Sequence, residues 1–190
     1  MKKIITCIVS VMLVLSICIG LNVKAASKQA AKTTAVSSNK VEYYFPRAGQ
    51  KPEPELVSLM SSAKSSLDVA IYSFTDANIA NAIINDKKRG IAVRVISDKS
   101  ESSVKSQKAI LAKLKAAKIP IKINRHPGLM HLKMTIVDKS VATTGSFNYT
   151  TAAETENDEV FVVLKNVTVA KDFDSEFSAM WNDSRNYSNY

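Results

Sequence analysis

Residues 131–148 read HLKMTIVDKSVATTGSFN, and this stretch decides how the rest of the chain is read. An extended segment turns alternate side chains to opposite sides, so His131, Lys133, Thr135 and Val137 share one face and Leu132, Met134 and Ile136 the other. The segment reads as two short strands joined by a turn at Asp138, Lys139 and Ser140. His131 can serve as nucleophile or proton donor, and Lys133 supplies a fixed cation on the same face. Ser146 and Asn148 follow as neutral hydrogen-bond donors. Asp138 has the opposite parity, which makes it a structural residue that orders the turn. A phosphodiester repels nucleophiles by its charge and has a poor alkoxide leaving group, so a catalyst must neutralise the one and protonate the other, a task that a cation paired with an imidazole suits. Lys133, the Asn148 side chain and backbone N–H groups near Gly145 and Ser146 can neutralise the phosphate.

Outward from the motif, the chain alternates strand and helix patterns. VEYYF from Val41 reads as a first strand, PEPELVSLMSSAK as a helix, and LDVAIYSF as an apolar strand. Thr75 or Asp76 can cap a helix running to Arg89, stopped by Gly90, and IAVRVIS is the next strand. From about Ser103 to Lys118, apolar Val104, Leu111 and Leu114 oppose a lysine face of Lys105, Lys108, Lys115 and Lys118. Pro120 to Asn124 and Glu159 to Leu164 read as strands, and Val169 to Arg185 as a final helix. The expected fold is α/β, a mixed sheet in a single domain with helices on both faces. Tyr72, Ser73 and Phe74 end the second strand and read chiefly as core, with stacking on a base as the alternative.

The pattern H-x-K-x4-D-x6-G-S, with Asn148 two residues past Ser146, resembles the signature of the phospholipase D superfamily. The wider run Ser66–Glu159, with AIYSFTD, KKRG and GSFNYTTAAETEND, is similar to its small single-motif bacterial nucleases. The resemblance implies a metal-independent phosphodiesterase with a phosphohistidine intermediate at His131 and leaving-group protonation by a second imidazole. It gives Asp138 the third letter of the motif and the carboxylate role beside the histidine to Glu159, within the acidic cluster Glu154, Glu156, Asp158 and Glu159. Larger members resemble two motifs fused in one chain. One motif histidine here therefore points to a homodimer with a composite site, the alternative being His126 as the acid.

Met1–Ala26 reads as a secretory signal peptide, with a basic start, an apolar core at 4–21 and small residues at Ala25 and Ala26. That core is long enough to serve instead as an uncleaved membrane anchor. Residues 27–40 read as a flexible linker, and 41–190 as the catalytic domain. Secretion is the expected localisation. Both cysteines, Cys7 and Cys18, lie in the leader, so the mature domain lacks disulfides and thiolate metal sites. With two histidines and no acidic cluster of ligand spacing, neither metal nor cofactor is expected. Removing Lys2, Lys3 and Lys24 from 26 basic residues leaves 23 against 17 acidic ones, a net +6 that favours an anionic partner. Nucleic acid is the expected substrate. A phospholipid head group is the alternative, disfavoured because no amphipathic segment offers an interfacial rim. A surface protein that binds nucleic acid without turnover is a third reading, opposed by the nucleophile beside a cation.

Overall fold

The computed structural model describes residues 41–190, so the expected leader, anchor and linker lie outside the described residues. In chain order the elements are β1 (Val41–Tyr44), α1 (Pro52–Ser61), β2 (Ser66–Ile71), α2 (Ala77–Lys88), β3 (Ala92–Ser97), α3 (Lys105–Ala116) and β4 (Ile121–Asn124). They continue with β5 (Lys133–Val137), β6 (Val141–Gly145), α4 (Thr151–Thr155), β7 (Phe161–Leu164), α5 (Val167–Asn182) and β8 (Tyr187–Asn189). The strands form one eight-stranded sheet in the order β1-β7-β6-β5-β2-β3-β4-β8. β2, β3 and β4 are parallel, and the other pairings are antiparallel.

Strand parity sorts the apolar residues into two layers, as the alternation requires. Leu67, Val69 and Ile71 join Val93, Val95, Val137 and Val163 beneath α1, α2 and α3. The intervening Ala70, Ile96, Met134 and Ile136 pack with Phe177 and Met180 of α5 on the opposite face. Helices therefore cover both faces of a mixed sheet. Asp68 points into the α5 layer and is buried, with Arg94 donating to both its oxygens from Nε and Nη2 at 2.7 Å. That bidentate pair satisfies a charge which would be costly unpaired. The Arg94 guanidinium in turn lies 4.9 Å from the Phe177 ring centre and 5.5 Å from that of Trp181, while Lys122 approaches Trp181 at 5.1 Å.

Several elements differ from the sequence expectation. The apolar side of α3 is the expected one at Leu111 and Leu114, opposite the exposed lysines, and departs from expectation only at its start. Val104 is the exposed N-cap, and Gln107, Ile110, Leu111 and Leu114 are buried. Asn166 starts α5 two residues early by accepting from the N–H groups of Thr168 and Val169, and the helix stops at Asn182 rather than Arg185. The short helix α4 and the three-residue strand β8 were not expected. Both are too short to show a hydrophobic period, and β8 is fixed by pairing with β4.

Two motif residues act on the framework. Asp138 and Lys139 both have positive φ, 51° and 54°, and Ser140 donates its N–H to the Val137 carbonyl, which is a two-residue hairpin turn of the kind that matches strand twist. The Asp138 carboxylate does not order that turn with Lys139 and Ser140. It reaches across to the α1–β2 junction and accepts from the N–H groups of Lys64, Ser65 and Ser66 at 2.8–2.9 Å and from the Ser65 hydroxyl at 2.8 Å. Gly145 has φ of +130°, and a Cβ there would sit 2.1 Å from the Val160 carbonyl oxygen, so glycine is required for β6 to close on the segment before β7.

Replacing Asp138 by alanine strips three backbone donors of their acceptor and should cost about 2 kcal/mol or more of stability, read from a denaturant melt. Burial alone would raise the Asp138 pKa, but the donors from Ser66, Lys64 and Ser65 outweigh it and hold the carboxyl below its usual range. The stabilisation is therefore present above the unfolded value of about 3.9 and lost as pH falls through the lower folded value. Asp138→Asn should flatten the acid side of the stability profile. An unchanged acid limb would show that the carboxylate charge is not what holds the junction.

Candidate active site

β5 runs antiparallel to β2 and sets Lys133 opposite Ile71, so the start of the motif meets the carboxyl ends of the parallel strands β2 and β3. Open α/β sheets form ligand crevices at this edge. Tyr72 extends the pairing past the strand by donating its N–H to the Leu132 carbonyl at 2.9 Å. His131 is exposed at the lip, whereas Lys133 is only 7% exposed. The Lys133 ammonium lies 3.0 Å from His131 Nδ1, 3.1 Å from Nε2 and 3.0 Å from the His131 carbonyl oxygen. A neutral imidazole has a single acceptor nitrogen, so the ammonium can donate to one of the two ring nitrogens and not to both. The structure thus brings His131 and Lys133 together.

Burial pushes the Lys133 pKa down, and the nearby carboxylates of Glu159 and Glu101 offset part of that effect. Glu159 bonds Asn157 Nδ2 at 3.1 Å rather than the His131 ring, so its influence in this structure runs through the charge of Lys133. Asn148 Oδ1 accepts from the Ser73 N–H at 3.3 Å, which ties its side chain to the end of β2. Asn148 does not cap α4. That place belongs to Thr150, which accepts from the Ala153 N–H. The Ser146 N–H is already given to the Val160 carbonyl at 3.0 Å, and the Ser146 hydroxyl accepts from the Val160 N–H at 3.1 Å. The expected phosphate contact from the Ser146 backbone is therefore withdrawn, and its hydroxyl proton is what it can still offer. His131, Lys133 and Gly145 line one cavity of about 420 Å³, with Met134 and Phe173.

Tyr72 is not core, as its sequence pattern implied. Its ring lies 4.3 Å from the His131 ring and 4.9 Å from the Lys133 ammonium, while Phe74 is fully buried. Burial and then the Glu101 carboxylate push the Tyr72 phenol up. Gln107, wholly buried, holds this strand end by donating to the Tyr72 carbonyl and to Ser97 Oγ at 2.9 Å and accepting from the Phe74 N–H at 2.6 Å. Asp98 anchors the approach to His131 by accepting from the Met130 N–H at 2.9 Å, and it also bonds Ser100 and Glu101. Burial raises its pKa, but these donors lower it further, so the net direction is down. Glu101, Gln107 and Asp98 lie in no recognisable motif. His126 lines a separate pocket of about 220 Å³ with Asp98, Asn124 and Leu129, and its ring packs edge-on to Tyr187. Among the described residues no group of three or more His, Cys, Asp or Glu is placed to hold a metal ion. None of the described helices is long and apolar enough to cross a membrane.

The structure thus sets an imidazole and an ammonium together at the carboxyl edge of the parallel strands of a mixed α/β sheet. The family described as "Cardiolipin synthase, PLD-like domain" matches residues 56–181, more than half of the chain, and the chain belongs to the phospholipase D superfamily. It is 35% identical over 118 residues to a phospholipase D of Rickettsia conorii, covering 62% of this chain and 58% of that one. It is 31% identical over 133 residues to the mitochondrial cardiolipin hydrolase of Homo sapiens, covering 70% and 52% respectively. The chain thus spans little more than half the length of these curated relatives. Among solved structures, the phospholipase D family member Nuc from Salmonella typhimurium superposes with a TM-score of 0.73 at 31% identity, covering 79% of this chain and 97% of that one. NucT from Helicobacter pylori follows at 0.67 and 27%, covering 75% and 95%.

Glu159→Gln removes a charge that favours the Lys133 ammonium, so the alkaline limb of the kcat/KM profile should move to lower pH. A limb that stays in place would mean that Lys133 is not the group titrating there.

Proposed function

We propose that this protein is a metal-independent phosphodiesterase that hydrolyses nucleic acid at low sequence specificity, with His131 as nucleophile. The observation that carries the reading is the Lys133 ammonium, buried and within 3.1 Å of both His131 ring nitrogens. An arriving phosphate offers that ammonium a stronger, charged acceptor than the imidazole, so substrate binding draws the cation to the anion and frees the ring to attack. One His131 nitrogen bonds phosphorus as the P–O bond to the leaving alkoxide breaks. A second imidazole gives that oxygen its proton, then accepts one from the water that hydrolyses the phosphohistidine. Asn148 and the Ser146 hydroxyl are the neutral donors to the phosphate oxygens.

His126 lines a different pocket, which favours taking the second imidazole from another copy of His131 across a two-fold axis. The active unit in this reading is a homodimer, exported by the leader. The net charge and the likeness to Nuc and NucT favour nucleic acid over lipid. The relatives named phospholipase D and cardiolipin hydrolase keep phospholipid as the second reading.

The purified chain should cleave plasmid and single-stranded DNA in excess EDTA. Loss of turnover in chelator, restored by one divalent ion, would overturn the mechanism. His131→Ala should abolish turnover with an unchanged melt, and Lys133→Ala should impair it severely. Light scattering should give about twice the chain mass, and His126→Ala should remain active. A fully active monomer would return the acid role to His126. Headgroup release from phosphatidylcholine vesicles without DNA cleavage would install the lipid reading.

A further inference from the structure

Consecutive residues Gly145 and Ser146 line two different hollows. Gly145 lines that of His131 and Lys133. Ser146 lines a second hollow of about 300 Å³, formed with Phe45, Arg47, Asp158, Glu159 and Val160. Its aromatic wall follows from the sheet register. β1 pairs with β7 as far as Tyr44 opposite Phe161, so Phe45 arrives beside Val160, the residue whose N–H and carbonyl are both bonded to Ser146. Phe45 is 44% exposed for a large apolar side chain, and its place is fixed from both sides. Its N–H donates to Gln50 Oε1 at 2.6 Å, and the Tyr43 ring lies tilted 5.7 Å away. The Arg47 guanidinium is held by the Glu156 carbonyl at 3.0 Å and by Asp158 at 3.6 Å.

We infer that this hollow is a nucleobase subsite, in which the Phe45 ring stacks on the base next to the scissile phosphate while Glu159 and Arg47 meet its polar edge. The inference rests on the nuclease reading given above. A base has a π face and a hydrogen-bonding rim, and the hollow offers an exposed ring bordered by a hydroxyl, two carboxylates and a guanidinium. An acyl chain would lie against Arg47, Asp158 and Glu159 as well as the ring, and a hydrocarbon gains nothing from those charged groups. Stacking is indifferent to base identity, since every base has a π face, and so the subsite fits a nuclease of low specificity.

The test uses the full chain with two strands of equal length, one ordinary single-stranded DNA and one fully abasic. Phe45→Ala should raise KM on DNA about tenfold with kcat unchanged, and should leave KM on the abasic strand as it was. Phe45→Trp should restore DNA binding. Equal KM for Phe45→Ala and the native chain on DNA, or an equal loss on both strands, overturns the subsite while leaving the nuclease reading intact. Loss of phosphatidylcholine headgroup release in Phe45→Ala, with DNA cleavage unaffected, assigns the hollow to lipid and overturns it. If the native chain cleaves no nucleic acid, both readings fall together.

Discussion

The site depends on the antiparallel contact of β2 with β5, because two segments far apart in sequence meet there with their ends aligned. Leu67 pairs with Val137 at one end and Ile71 with Lys133 at the other. Each end is then secured beyond the ladder. Asp138 ties the first to the α1–β2 junction, and the Tyr72 N–H bonded to the Leu132 carbonyl ties the second to the approach of His131. A slip of one residue in this register would turn Lys133 into the α5 layer and bring Met134 to the phosphate edge. Register thus decides which side chain stands at the site, and a carboxylate at one end and a backbone bond at the other hold it.

Desolvating Lys133 creates a tension that its surroundings resolve in part. A buried ammonium tends to lose its proton, yet the reaction needs the cation. Glu159 and Glu101 support the charge from a distance without forming the close pair that would compete with a phosphate. The Tyr72 ring adds a π face, which attracts a cation but occupies none of its three donors. The positive charge is consequently supported while the ammonium stays able to change partners. A carboxylate at contact distance would have fixed it in place.

What the sequence made legible was local. The alternation in HLKMTIV showed Lys133, Thr135 and Val137 on one face, and the strand and helix order gave a mixed sheet covered on both sides. What stayed hidden was set by distant contacts. Gln107 reaches Tyr72 across 35 positions and Phe74 across 33. Nothing near Gln107 in sequence distinguishes it from a solvated residue on a lysine-rich helix. Phe45 looked like the end of a strand, and only the β1–β7 register brings it beside Ser146. The Ser146 N–H was misjudged for the same reason, since its partner Val160 belongs to another segment. Local pattern reveals which way a side chain points, and tertiary pairing decides what it meets.

The Arg94 stack gives the molecule an optical property. The chain has a single tryptophan, Trp181, lodged between the Arg94 guanidinium and the Lys122 ammonium on the face covered by α5. Its emission is thereby a private reporter of one layer. The α1, α2 and α3 layer has no indole, so fluorescence will follow release of α5 while circular dichroism follows all the helices. Coincidence of the two signals during denaturation would establish that the sheet transmits cooperativity from one face to the other.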